Sequence, residues 1–277
     1  MEGKLMEEKN PILFVGAGPG DPELITVKGR RALRDAQVVI FAGSLVPAAL
    51  LQWTGPGAET HDSASMALGQ IIRVMAEAHR AGKKVVRLHT GDPSLYGAIF
   101  EQMVELDRLA IAYRVIPGVT AAFAAAAALG IEYTIPEVTQ TLILTRMAGR
   151  TPVPDTERLE TLARHQASMA IYLSMGLIDR VAPILSAAYG AESMCAVVYR
   201  ASHPDETITT VPIGELVQAM AVERITKHAL IIVGPALCAR QRGGDHRSRL
   251  YDAGFSHQYR KCEERPCPDR GLGQKQL

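Results

Sequence analysis

Aromatic residues are scarce, at 5% of a 277-residue chain. That argues against a platform on which single-stranded RNA or DNA bases stack. A dominant charge is missing as well: 30 Lys and Arg stand against 29 Asp and Glu, a formal net charge of +1. No global field therefore recruits nucleic acid or an anionic membrane surface. The four cysteines, Cys195, Cys238, Cys262 and Cys267, are few and late, which is no disulfide framework for a chain this long. Long apolar runs are absent too. Ala121–Leu129 is too short to span a bilayer, and Ile12–Val15, after the polar stretch Met1–Lys9, is too short for the apolar core of a signal peptide. The expectation is a protein of the reducing cytoplasm with no membrane and no nucleic-acid partner.

Several common sites are missing. Gly16-x-Gly18 opens like a dinucleotide fingerprint, but Asp21 holds the third glycine's place. Pro19 and Pro22 remove backbone N–H groups that a pyrophosphate needs. No Gly-Lys-Ser/Thr triplet follows a glycine-rich loop, so a P-loop is unsupported. His61-Asp62-Ser63 has the residue types of a hydrolytic triad, but adjacent residues cannot face one another in a relay, and a polar loop is expected there. His257, Cys262 and Cys267 match no zinc spacing, so no metal site is expected.

Two short stretches carry the chemistry: Thr90-Gly91-Asp92-Pro93-Ser94-Leu95-Tyr96-Gly97 and Pro117-Gly118-Val119-Thr120-Ala121-Ala122. Each follows an apolar, strand-like run, Val85–Leu88 and Tyr113–Ile116. In open α/β sheets, ligands bind beyond the carboxyl ends of strands. Small residues there let main chain approach closely, and glycine adopts conformations other residues resist. The pair predicts a small-molecule cleft, and so an enzyme. Asp92-Pro93 also reads as a turn that caps the next helix.

Strand and helix patterns alternate along the chain, predicting an α/β fold of two domains with largely parallel, mixed sheets and a cleft between them. Strands are expected at Ile12–Val15, Val38–Phe41, Lys84–Leu88 and Ala112–Ile116, then at Thr139–Thr145, Met169–Leu173, Met194–Tyr199, Thr207–Val211 and Ala229–Val233. Helices are expected at Leu24–Ala36, Ala64–Ala81, Ile99–Leu109, Val119–Leu129, Thr156–His165, Ile178–Tyr189 and Ile213–Ala221. The hinge falls near Pro117, giving domains 11–116 and 117–237. A polar tail, 238–277, holds docking-like segments around Ser248–Asp252 and Phe255–Arg260 and ends in a disorder-type composition.

Three motifs in order resemble those of the tetrapyrrole (corrin/porphyrin) methyltransferases: Val15–Thr26, Arg87–Pro93 and Pro117–Ala121. Finer segments, Phe41–Val46, His61–Met66 and Thr145–Pro152, resemble the branch acting at C11 of precorrin-4 or its cobalt counterpart. Uroporphyrinogen methyltransferases usually carry Gly-Gly-Asp-Pro; here Thr90 replaces the first glycine. The resemblance implies methyl transfer from S-adenosylmethionine to a precorrin-4-class tetrapyrrole, usually in a homodimer. It carries cofactor contacts onto Pro19, Thr90, Gly91, Asp92 and Leu95, and onto Thr120, Ala121, Met175, Ala196 and Ala229. Ser44, His61 and Ser63 become substrate contacts by resemblance alone. Arg146 and Arg150 flank a Gly/Pro loop and suit the gripping of substrate carboxylates. No feature picks a base; Asp92 and Tyr96 are the catalytic candidates.

Overall fold

The computed structural model describes residues 10–43, 46–239, 248, 256 and 258–261. Ser44, His257, Cys262, Cys267, most of the docking-like tail segments and the start of the chain lie outside these residues.

The first half builds one five-stranded sheet of β1 (Ile12–Gly16), β2 (Val38–Phe41), β3 (Glu59–Asp62), β4 (Val85–His89) and β5 (Tyr113–Ile116). Its order is β3-β2-β4-β1-β5, and every pairing is parallel. Continuous apolar strands such as Val38–Phe41 suit a sheet covered on both faces. One face packs Phe14, Ile40 and Val85 under α2 (Leu68–Arg80) and α3 (Ile99–Arg108). The other packs Val15, Val39 and Leu88 under α1 (Val27–Asp35) and a 3-10 turn at Ala48–Trp53. Each fully buried Phe, Ile or Leu contributes about 1.5–3 kcal/mol of transfer free energy.

The second sheet joins β6 (Leu142–Arg146), β7 (Ser168–Tyr172), β8 (Met194–Tyr199), β9 (Thr207–Pro212) and β10 (Ala229–Val233) in the order β6-β7-β10-β8-β9. This is the mixed sheet: β6 and β7 run parallel, while β10 is antiparallel to both its neighbours and β9 is antiparallel to β8. β8 and β9, consecutive in the chain, pair from Met194 opposite Pro212 to Tyr199 opposite Thr207. Alanines of α4 (Ala121–Leu129) pack against Ala170, Ala196, Leu230 and Ile232 on one face. On the other face α5 (Leu159–Ala163), α6 (Ile178–Tyr189) and α7 (Leu216–Glu223) close the larger core.

Some expectations need correction. Glu59–Asp62 is a strand, where His61-Asp62 was expected to lie in a polar loop. It is an edge strand with exposed side chains, so it has no apolar alternation to reveal it. The helix expected from Ala64 begins at Leu68, where Gln70 Oε1 accepts the Ala67 N–H. The helix expected from Leu24 begins at Val27, because the Thr26 hydroxyl caps it by accepting the Gly29 N–H.

Candidate functional site

The sheet order explains the site. β4, β1 and β5 are neighbours, so the three loops leaving their carboxyl ends lie side by side, although the chain separates them widely. These loops are knitted by main chain. Gly18 and Gly91 exchange N–H···O bonds of 3.3 and 2.8 Å. Gly91 takes a left-handed φ of +60°. A Cβ on Gly118 would lie 2.2 Å from Gly91 O, and one on Gly16 would lie 2.5 Å from Gly118 Cα. Glycine at 16 and 118 thus serves loop-on-loop contact, whereas the sequence pointed to open main chain for a ligand.

Asp92 is part of that knitting. Its Oδ1 accepts the Ser94 N–H at 2.8 Å and also the Ser94 hydroxyl; its Oδ2 accepts the Gly118 N–H at 2.9 Å. Burial raises its pKa, but these bonds outweigh burial and hold the carboxyl below its ordinary value. The turn expected at Asp92-Pro93 is present in the bonds to Ser94, but the helix cap is not: α3 starts at Ile99 with Ala98 at its cap position and no side-chain cap bond, and the carboxylate braces the neighbouring loop instead.

From the second half, Tyr172 at the end of β7 reaches the start of α4. Its hydroxyl oxygen accepts the Ala122 N–H at 2.9 Å and lies 2.7 Å from Thr120 Oγ1. Thr120 sits at the cap position but makes no cap bond of its own, so Tyr172 supplies that acceptor from another element. Tyr133 donates its hydroxyl to Ala122 O at 2.8 Å. Elsewhere the Ser202 hydroxyl accepts the Asp21 N–H at 3.0 Å, and the His203 ring packs on Gly20, where a Cβ would meet it at 2.2 Å. Both contacts tie the β8–β9 loop to the loop after β1.

Between these ties lies a cavity of about 560 Å³, within the range of small-molecule sites. Pro19, Thr90, Gly91, Asp92 and Leu95 line it from the first half, and Thr120, Ala121, Met175 and Ala229 from the second. Ala196 is the exception among the expected cofactor contacts. It is wholly buried against α4, and its neighbour Val198 on the same face reaches the cavity instead.

Among the described residues, the expected substrate contacts His61, Ser63, Arg146 and Arg150 do not line this cavity. His61 Nε2 pairs with Glu59 at 2.8 Å, and Ser63 donates its hydroxyl to Phe41 O at 3.0 Å. Asp62 accepts the N–H groups of Gly43 and Ala64, so the three adjacent residues form no relay. Arg146 donates to the carbonyls of Thr151 and Pro152 at 3.2 and 2.6 Å and so shapes its own loop, in which Arg150 is exposed. Ser44 lies outside the described residues. Tyr96 does line the cavity, with its ring centroid 5.4 Å from that of Tyr172. Burial raises its phenol pKa, so it is protonated at neutral pH.

Sequence reasoning missed Tyr172, Ser174, His203, Lys227 and His228, all of which line the cavity beside Arg200. Their shared signal is position, just beyond the ends of β7 and β8 or before β10. Arg200 is ion-paired with Asp205 at 2.8 Å. Burial, followed by the Arg200 charge, lowers the pKa of His203; burial, followed by the Lys227 charge, lowers that of His228. Among the described residues, no three His, Cys, Asp or Glu side chains gather as a metal site, and no helix is long and apolar enough to cross a membrane.

Known proteins share this arrangement. The chain is 48% identical over 261 residues to a cobalt-precorrin-4 C(11)-methyltransferase of Methanocaldococcus jannaschii, covering 94% of this chain and 100% of that one. It is 47% identical over 252 residues to a precorrin-4 C(11)-methyltransferase of Pseudomonas aeruginosa, covering 91% and 99%. Among solved structures, a cobalt precorrin-4 methyltransferase superimposes with a TM-score of 0.79 at 48% identity, covering 82% of this chain and 95% of the other. A uroporphyrin-III C-methyl transferase from Thermus thermophilus, complexed with S-adenosyl homocysteine, gives 0.69 at 27% identity, covering 82% and 93%. Residues 11–217 match the family of Tetrapyrrole (Corrin/Porphyrin) Methylases. With three motif loops converging on one cavity and a match that spans both sheets, the chain belongs to the tetrapyrrole methylase family.

Proposed function

We propose that this enzyme transfers a methyl group from S-adenosylmethionine to C11 of a precorrin-4 skeleton, a step of cobalamin biosynthesis. The observation that carries the reading is the convergence of the loops after β1, β4 and β5 on a single cavity closed by the second sheet. Relatives with the printed activities of precorrin-4 and cobalt-precorrin-4 C(11)-methyltransferases, 47% and 48% identical, support the acceptor class.

The residues present fit the donor. The cavity offers apolar walls at Leu95, Val46 and Met175, the Thr120 hydroxyl, and main chain at Gly91 and Ala121. S-adenosylmethionine, when bound there, supplies an electrophilic sulfonium methyl. Its positive charge fades as the methyl leaves, so a largely apolar wall suits the reaction better than free fixed cations. Of the cations on this cavity, Arg200 is ion-paired with Asp205, and Lys227 stands at the wall just before β10. The chain's work is to hold two reactants in line and exclude water. Asp92 and Tyr96 serve that holding better than base catalysis: one carboxylate is fully engaged and the other group is a protonated phenol.

In this reading the domains divide near Pro117, as 11–116 and 117–237, with 238–277 as a tail. The enzyme acts as a homodimer in the cytoplasm. Exposed Phe100, Phe123 and Val115, the last on an edge strand, support a dimer contact. Free thiols at Cys195 and Cys238 support a reducing compartment.

The test is incubation with a donor carrying a ¹³C methyl group, in parallel with precorrin-4 and with its cobalt complex, followed by NMR assignment of the product. Label at C11 in either arm is the expected result, and the faster arm names the metallation state. Label at another carbon, or none in both arms, overturns the proposal.

A further inference from the structure

Four of the residues lining the cavity are non-glycine residues with left-handed backbone: Tyr96, Leu173, Arg200 and His228. Leu173 is the least expected of them. A bulky apolar residue at a φ of +52° is sterically disfavoured, and 71% of its surface is exposed, so burial does not repay the strain. The turn is nonetheless firmly fixed. Ser174, wholly buried, donates its hydroxyl to Tyr172 O at 2.6 Å and accepts the Met147 N–H at 2.9 Å. Tyr96 has a φ of +56°, is 43% exposed, and comes from the opposite half of the molecule. Its ring leans on that of Tyr172, the residue before Leu173. Two large apolar side chains, one from each sheet, are thus presented together at the mouth of the cavity.

We infer that Leu173 and Tyr96 form an apolar shelf for one face of the tetrapyrrole macrocycle. This rests on the function proposed above. The cavity is the size of a single small ligand, whereas the acceptor is a broad four-ring system with charged groups at its edge. Its ring faces must meet apolar surface just outside the donor cavity, and an aromatic ring beside an aliphatic side chain provides that surface. The strain is then repaid in the complex, where the exposed leucine becomes buried.

Leu173→Asn, Leu173→Gly and Tyr96→Asn test this, because glycine and asparagine accept the left-handed backbone while removing the apolar surface. Unchanged or raised Tm will show that the variants fold. Calorimetric Kd for S-adenosylmethionine is expected within about twofold of wild type, while KM for the tetrapyrrole rises about tenfold at position 173, a loss of about 1.4 kcal/mol. Unchanged KM in all three variants overturns the shelf. Donor affinity falling in step with acceptor affinity also overturns it, because the contacts would then belong to the donor. Should the wild-type enzyme itself methylate no tetrapyrrole, the functional reading fails before any variant is compared, and the shelf fails with it.

Discussion

The Asp92 carboxylate accepts the backbone N–H of Gly118 at 2.9 Å, joining the loop that follows β4 to the loop that follows β5. An amide cannot replace it. In Asp92→Asn, either Gly118 or Ser94 would present its N–H to an NH₂ group. A lost bond with a stranded donor costs about 1–3 kcal/mol. We expect a stability loss of that size in chemical denaturation, together with weaker donor binding. Because the folded pKa lies below the unfolded one, the wild-type contribution is present above about pH 4 and disappears as pH falls through the folded value. An Asp92→Asn protein as stable as wild type at pH 7 would show that the bridge between the loops is dispensable.

Two glycines in these loops should respond differently to the same methyl group. In Gly118→Ala the new Cβ meets the Gly91 carbonyl oxygen at 2.2 Å, a main-chain clash that only loop movement can relieve. In Gly91→Ala the nearest atom is 3.7 Å away, so the cost is the left-handed φ alone, about 1–2 kcal/mol. Gly118→Ala is therefore expected to have the lower Tm and the greater loss of donor affinity. Equal losses in both would mean that the loop-on-loop contact is not what the glycine at 118 serves.

Tyr172→Phe keeps the ring against Tyr96 and removes the oxygen that caps α4. The Ala122 N–H, on a residue with no exposed surface, then has lost its acceptor. We expect about 1–3 kcal/mol of lost stability. Because Thr120 and Ala121 line the cavity, donor Kd should also rise, by about tenfold. A calorimetric titration with wild-type affinity would mean that the start of α4 is positioned without Tyr172.

How much of this could be read in the sequence follows from where each signal lives. The apolar runs of β1, β2, β4 and β5 announce strands, and glycine-rich segments beyond them announce the loops that line the cavity. β3 is hidden because Glu59–Asp62 is polar and pairs on one side only. Tyr172 could not be found, because its role is a bond to the N-terminal turn of a helix 50 residues earlier, a contact that no local pattern encodes. Arg146 shows a related feature of tertiary structure that the sequence does not encode. A cation beside a Gly/Pro loop has the pattern of an anion site, and in the folded chain two of its nitrogens also donate to carbonyls of that loop. The antiparallel pairing of β10 with both its neighbours was likewise not visible in strand–helix alternation, since it is fixed by tertiary packing.

His89 gives the fold a sensitivity to acid that the carboxylates do not explain. It ends β4, 6% exposed, with the Phe14 ring centroid 5.8 Å from its own. Burial, followed by the Arg87 charge on the same strand, lowers its pKa from 6.5 to about 3, against a hydrogen bond with the Gly97 backbone that favours the charged form. Between those two values the unfolded chain binds a proton that the folded chain refuses. Stability from this group is complete above about pH 6.5 and declines as pH falls toward 3, by up to about 1.4 kcal/mol per unit. From pH 7 to pH 5 wild type should therefore lose about 2 kcal/mol more than His89→Gln, which has no proton to gain. Urea denaturation of both proteins at the two pH values measures the difference. Parallel losses would mean that the imidazole is protonated in the folded protein, and that its surroundings beside Phe14 are wetter than its packing implies.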